Sequence, residues 1–392
     1  MPKKNIIIYG ATGSIGDSTL ELIRNNLDDF NIIGLTCNNN IEKLKLLAAE
    51  FNCKNIGIAD TDSINKYRNT LINFELYEGI NEFHNMITEQ AVDIIIFAIA
   101  GSDALNLSLN LAESGKVLGL ANKECIVCAG KLFMDKIKSS STKLIPLDSE
   151  HNAIYQLCYG KNTSSINNYI ITASGGHFYN YTETELRKIT PQKAVTHPQW
   201  SMGEKISVDS STLMNKGLEI IEACNLFDFN EDKIDALIHP ESIIHGIINF
   251  KDNSSHAFLS APNMQISISS ILFPNNDVRS NNFDLDLKKI STLNFYEIDE
   301  LKFRAINLAK SALKHGGLMP SVLNYSNELM VNQFIEYKIC FTEIVINSEI
   351  VMEKFLSDGN NILNPTISNI FESFGIVKDY IDNANIFKIF SR

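Results

Sequence analysis

Asp148 and Glu150 stand two residues apart in Leu144-Ile145-Pro146-Leu147-Asp148-Ser149-Glu150-His151, directly after a strand-like run. Such a pair can project to one side of a sheet edge. Paired carboxylate oxygens of this kind suit Mg²⁺ or Mn²⁺; two acids alone also fit a polar loop or a helix cap. A second segment, Asp209-Ser210-Ser211-Thr212-Leu213-Met214-Asn215-Lys216-Gly217-Leu218-Glu219, opens a helix expected from about Ser211 to Cys224. In one continuous helix Ser211, Asn215 and Glu219 share a face. The serine-rich start, the amide and the lysine make a setting for a phosphate or another anion. Glu219 is a candidate to close a three-carboxylate site with Asp148 and Glu150; the bland alternative is a solvated polar stripe. Ser174-Gly175-Gly176 is a further candidate oxyanion or phosphate turn. His197-Pro198-Gln199-Trp200-Ser201-Met202-Gly203 carries the single tryptophan and lies outside any periodic element. It reads either as a lid that excludes water or as an ordinary loop with Trp200 in the core.

The other chemical signal is Gly10-Ala11-Thr12-Gly13-Ser14-Ile15-Gly16, between the run Ile6 to Tyr9 and a helix. Glycines there permit a tight turn and close approach of a diphosphate, whose charge the N–H groups of the helix start can hold. The spacing is GxxGxxG, and its alternative is a ligand-free turn. After the second strand an acid would bind the ribose hydroxyls of NAD. The chain instead reads Cys37-Asn38-Asn39-Asn40, which leans toward NADP, although no arginine stands at that turn. Lys43 and Lys45 are expected to point outward from the next helix. Cys125 and Cys128 form a CxxC, read as two small buried residues rather than a redox or metal pair. His239, His245 and His256 have no cysteines nearby, so a zinc site is not expected. No G-x-S-x-G occurs.

These groups need a scaffold. Strand patterns at Asn5 to Tyr9, Asn31 to Thr36, Asn55 to Ile58, Asp93 to Ile99, Lys116 to Ala121 and Lys143 to Pro146 alternate with helical ones, such as Ile15 to Arg24 and Ile41 to Phe51. That order predicts a parallel α/β sheet covered on both faces. Strands at Asn168 to Thr172, Ala236 to His239 and Ile244 to Phe250 predict a central α+β domain. Helical patterns at Phe303 to Lys314, Ser321 to Phe334, Phe341 to Phe355 and Val377 to Ile389 predict a C-terminal bundle. The expected division is 1–149 nucleotide-binding, 150–285 catalytic and dimerising, 286–300 connector and 301–392 helical. A chain of 392 residues with 44% hydrophobic content supports such multidomain cores. Its net charge of −12 argues against nucleic-acid or anionic-membrane binding. Seven scattered cysteines fit a reducing compartment better than a disulfide framework. With no signal-peptide pattern, the expected location is cytoplasmic.

The chain closely resembles the 1-deoxy-D-xylulose 5-phosphate reductoisomerase family of non-mevalonate isoprene biosynthesis. The likeness spans essentially the whole sequence. It is carried by GATGSIG at 10–16, ANKE at 121–124, LDSEHNAIYQ at 147–156, ASGG at 173–176, HPQWSMGEKISVDSSTLMNKGLE at 197–219 and GGLMPSVLNYSNE at 316–328. The resemblance implies a homodimer using NADPH and Mg²⁺, Mn²⁺ or Co²⁺, with a Rossmann-like N-terminal domain. It implies Asp148, Glu150 and Glu219 as metal ligands. Ser174, Ser210, Asn215 and Lys216, with His197, would hold the substrate phosphate, and Lys123 and Ser149 would line the substrate site. Trp200 and Met202 would join His197 in a flap. Thr12, Gly13, Ser14, Ile15, Asn39, Asn40, Asn122, Glu124 and Gly203 match cofactor-contacting positions. The implied reaction cleaves and rejoins the sugar-phosphate skeleton by retro-aldol and aldol steps. It then reduces the branched aldehyde to 2-C-methyl-D-erythritol 4-phosphate.

The chain departs from the family pattern at several points. The usual Ala-Gly-x-Asn, with a basic residue at x in some members, is Cys37-Asn38-Asn39-Asn40. The usual Pro-Asp-Met-Arg-x-Pro-Ile is Pro262-Asn263-Met264-Gln265-Ile266-Ser267-Ile268. Arg-Phe-Pro-Cys-Leu becomes Lys302-Phe303-Arg304-Ala305-Ile306, and Glu241 replaces a glutamine. The proposed metal and phosphate residues are intact, so an active enzyme is expected. The competing readings are a simple NADP-dependent oxidoreductase of a phosphorylated metabolite and an inactive relative acting as a scaffold.

Overall fold

The computed structural model describes residues 2–89, 91–196, 203–274 and 285–383. They form two compact units: Met1–Asn122, Phe133–Asn152 and Asn263–Asp284 make the first; Lys123–Leu132, Ala153–Pro262 and Leu285–Arg392 make the second.

The first unit is built on strands β1 (Lys4–Tyr9), β2 (Phe30–Cys37), β3 (Asn55–Ile58), β4 (Glu75–Glu78), β5 (Ile94–Phe97), β6 (Val117–Leu120) and β7 (Lys143–Pro146). Their order is β4-β3-β2-β1-β5-β6-β7, and every pairing is parallel. The order reverses beside β1, the switch point at which open α/β sheets bind ligands. Ile6, Ile7, Ile8, Ile95 and Ile96 have no exposed surface. Each such residue stabilises the fold by about 1.5–3 kcal/mol through burial. The helix Ser14–Arg24 follows β1, and the helix Met264–Leu272 packs on it. There Gln265, where the family has arginine, donates from Nε2 to Glu21 at 2.7 Å. The sequence reading missed β4, because its four residues are only partly buried or exposed and carry little apolar signal.

The second unit holds β8 (Ile166–Ala173), β9 (Ile234–Ile238), β10 (Ile244–Phe250) and β11 (Ser255–Leu259) in the order β11-β10-β8-β9. The β8–β9 pairing is parallel, and the other two are antiparallel. Edge strand β11 was also missed, since it is almost wholly exposed. Ile154, Ile171, Ile220, Ile234, Ile248 and Ile306 share one core. Helices Ala305–His315, Met319–Ile335, Glu343–Ser357 and Ile367–Asp382 form the bundle. The last begins ten residues before the expected Val377, at a capping box built by Thr366 and Asn369. Gly217 lets the helix Met214–Phe227 approach Ala305–His315, because a Cβ there would sit 2.8 Å from the Ala305 carbonyl oxygen.

The helix expected from Ser211 to Cys224 is two helices, Glu204–Thr212 and Met214–Phe227. Leu213 separates them in the left-handed region at φ +60°. The Thr212 hydroxyl accepts from the Met214 N–H at 3.3 Å. Ser211 therefore belongs to the first helix, and only Asn215 and Glu219 keep the i, i+4 relation. Among the described residues no helix is long and apolar enough to cross a membrane.

Candidate active site

In the first unit the glycine loop turns on Gly10 at φ +79°, where a Cβ would lie 2.5 Å from the Ala98 carbonyl oxygen. A Cβ on Gly16 would lie 2.4 Å from the Ala11 carbonyl oxygen. Both positions need glycine for the loop to fold this tightly. The loop is tied to β2: Gly10 N–H donates to Thr36 Oγ1 at 3.0 Å, and Ala11 N–H to Thr36 O at 2.8 Å. Gly13 is the N-cap of Ser14–Arg24 and supplies no side-chain cap. Gly13 and Ser14 are exposed at this helix start, where the first N–H groups of a helix have no intrahelical partner and can receive an anion.

Asn38, Asn39 and Asn40 follow β2 as exposed residues, and Asn40 Oδ1 caps the next helix by accepting from Lys43 N–H at 3.3 Å. Lys43 does not point outward as expected. Its Nζ donates to Thr12 O at 3.0 Å and to Asp17 at 2.6 Å. Burial pushes the Cys37 thiol, at the end of β2, up to about 12. Asn122 is buried and donates from Nδ2 to the carbonyls of Ile99 at 2.6 Å and Gly101 at 2.9 Å.

Asp148 and Glu150 flank the start of the helix Ser149–Cys158. The pair sits at a helix entry rather than along a strand edge, in the positive field of the helix N-terminus. Ser149 donates its hydroxyl to Glu150. Asn152 anchors the turn, donating to Pro146 O and Ser270 Oγ, both at 2.8 Å.

In the second unit Glu219 is 1% exposed. A carboxylate so deeply buried requires charged or hydrogen-bonding partners. Lys123 Nζ donates to it at 3.1 Å, and Lys216 Nζ and Asn215 Nδ2 donate as well. Lys123 also donates to Asn215 Oδ1 at 2.7 Å. The turn Ser174-Gly175-Gly176 has both glycines at positive φ, and a Cβ on Gly176 would touch Ser211 at 3.2 Å. That brings the turn beside the end of the helix bearing Ser210. Ser174 Oγ accepts from Gly176 N–H at 3.2 Å. Gly203 caps the helix Glu204–Thr212. His197, Trp200 and Met202 lie outside the described residues.

Glu124 is buried, with its carboxylate 3.6 Å from Lys205 Nζ. Lys205 also donates to Asp209 at 2.8 Å, and Asp209 accepts from Asn327 Nδ2 at 2.7 Å. Burial opposes charge on Lys205, but Asp209 and Glu124 outweigh it and hold the ammonium above the usual lysine range. The reading from sequence missed this network. Its only local signal is the i, i+4 spacing of Lys205 and Asp209; Glu124 and Asn327 arrive from distant segments. Glu241, the departure from glutamine, accepts from Asn294 Nδ2 at 2.6 Å and lies 3.1 Å from His239 Nδ1.

Two described groups of oxygen donors, Asp148 with Glu150 and the buried Glu219, have the hard-ligand chemistry that a divalent cation requires. A curated relative, the 1-deoxy-D-xylulose 5-phosphate reductoisomerase of Thermoanaerobacter pseudethanolicus, is 42% identical over 381 residues, covering 96% of this chain and 98% of its own length. This chain belongs to the 1-deoxy-D-xylulose 5-phosphate reductoisomerase family. The family model described as 1-deoxy-D-xylulose 5-phosphate reductoisomerase matches residues 6–130, and the model of its C-terminal domain matches 144–227. A further model, DXP reductoisomerase C-terminal domain, matches 259–377. The chain is similar to a crystal structure of DOX-P reductoisomerase in complex with NADPH, fosmidomycin and magnesium. The two are 34% identical with a TM-score of 0.92, covering 99% of each chain. It is also similar to the Zymomonas mobilis enzyme in complex with NADPH, at 36% identity and a TM-score of 0.85, covering 96% of this chain and 97% of that one. The family's parallel Rossmann-like sheet, central α+β region and C-terminal helices are those described above.

Proposed function

We propose that this chain carries out its family's reaction, the NADPH- and divalent-metal-dependent rearrangement and reduction of 1-deoxy-D-xylulose 5-phosphate to 2-C-methyl-D-erythritol 4-phosphate. The observation that carries the reading is the buried Glu219 carboxylate held by two lysines and an amide. A bare hydrophobic core has no use for such a cluster, whereas a site that must hold a cation and oxygen-rich substrate does.

Asp148, Glu150 and Glu219 are assigned as the metal ligands, with Mg²⁺, Mn²⁺ or Co²⁺ as candidate ions. Together the ion and NADPH supply stabilisation of oxygen charge and a hydride. Lys123 and Ser149 orient the reacting end of the sugar. Ser174, Ser210, Asn215 and Lys216, with His197, grip its phosphate, and this remote binding energy aligns the reacting carbons. His197, Trp200 and Met202 cover the substrate and keep water from it. Thr12, Gly13, Ser14, Ile15, Asn39, Asn40, Asn122, Glu124 and Gly203 hold the dinucleotide. On this reading 1–149 binds cofactor, 150–285 carries catalysis and dimerisation, 286–300 connects and 301–392 is the helical domain. The acting form is a cytoplasmic homodimer; the exposed edge strand β11 is a surface suited to self-association.

The test is product identity. With substrate, NADPH and each metal in turn, NMR should detect the branched polyol phosphate. Recovery of only the linear reduced sugar would reject the rearrangement.

A further inference from the structure

We infer that Lys43 reads the 2′-phosphate of NADPH in this chain and so sets its preference for NADPH over NADH. This rests on the cofactor reading above. NADPH and NADH differ only at the adenosine ribose, which a Rossmann unit meets at the end of its second strand, next to the glycine loop. An acid there favours NADH, and a cation favours NADPH. Residues 37–42 read Cys, Asn, Asn, Asn, Ile, Glu and include no cation. The three asparagines provide dipoles but no charge to oppose a phosphate dianion.

Lys43 is the first cation after β2. It stands in the first turn of the helix Ile41–Glu50, and its side chain folds back over the glycine loop to Thr12 O at 3.0 Å. The ammonium is thereby held at the glycine loop, and in such units the ribose lies next to that loop at the end of the second strand. Its neighbour Lys45 instead pairs with Glu42 at 3.5 Å on its own helix. The Lys43 side chain is 34% exposed, so an anion can reach it from solvent. An ammonium has three donors; Thr12 and Asp17 account for two. Asp17 holds the ammonium in place in the free protein, and the phosphate then competes for it as a stronger acceptor.

The test uses the full-length protein without substrate. NADPH and NADH are titrated by calorimetry into the unaltered chain, Lys43→Ala and Lys43→Arg, with circular dichroism to confirm folding. Lys43→Ala should weaken NADPH by about tenfold or more, the loss expected for one hydrogen bond to a charged group. NADH affinity should stay within about twofold, and Lys43→Arg should restore most of the NADPH affinity. An equal loss for both dinucleotides would reduce Lys43 to a loop support through Thr12 and overturn the inference, as would an unchanged NADPH affinity. Failure of the cofactor reading itself shows separately, as an unaltered protein that binds neither dinucleotide.

Discussion

Lys123 Nζ lies 3.1 Å from Glu219 Oε1, joining residues 96 apart in sequence within the second unit. Glu219 is nearly sealed from solvent, and Lys123 is largely so. Removing two charges from water is costly, and breaking such a pair leaves one of them buried and uncompensated. A fold that only needed stability would fill this position with apolar atoms. On the proposed function, these charges are the ones that meet substrate and cation.

Replacing Glu219 tests that assignment. Glu219→Gln keeps the shape but removes a proposed ligand charge, while the glycine loop lies in the other unit. Steady-state NADPH oxidation should fall by about a thousandfold, equivalent to several kcal/mol of lost charge stabilisation. Calorimetric NADPH affinity should be unchanged. Ordinary turnover at ordinary metal concentration would exclude Glu219 as a required ligand.

The glycine loop makes a steric prediction. A Cβ at position 16 would meet the Ala11 carbonyl oxygen at 2.4 Å, and backbone has little freedom to retreat. Gly16→Ala should destabilise the chain by about 1–3 kcal/mol in urea denaturation, the range for overpacking. It should also abolish measurable NADPH binding, since the loop must open to relieve the clash. A variant with unaltered urea midpoint and affinity would show that the turn is not constrained in this way.

The Cys37 thiol carries a pH prediction. Burial holds it neutral and pushes it up to about 12 from an ordinary value of 9.0. A group whose folded pKa is raised contributes stability that is complete below its unfolded pKa and is lost as pH rises toward the folded one. The unaltered chain should therefore show no Cys37-dependent change from pH 7 to 8. It should lose stability between about pH 9 and 12 more steeply than Cys37→Ala does, as read from urea midpoints. Parallel slopes for the two proteins in that range would refute the account.

Much of the first unit is readable along the chain. Runs such as Ile6-Ile7-Ile8 and Ile94-Ile95-Ile96, uniformly apolar and separated by amphipathic helices, describe a sheet buried on both faces. Strands β4 and β11 escaped because exposed edge strands are ordered by backbone pairing to a neighbour, which leaves no apolar pattern of its own. The break at Leu213 escaped for a related reason. No glycine or proline marks it, and only surrounding structure holds a leucine at φ +60°.

The candidate site divides along the same line. Residue types and order alone determined the glycine turn, the acid pair at 148 and 150, and the Asn215–Lys216–Glu219 run, because each lies within one short segment whose local geometry is set by neighbours. Only the tertiary structure decided that Lys43 bends back to Thr12, that Lys123 meets Glu219, and that Lys205 ties Glu124 to Asp209 and, through it, Asn327. Long charged side chains can point in many directions at little cost. The choice among those directions is made by opposite charges and carbonyls that folding delivers from elsewhere in the chain.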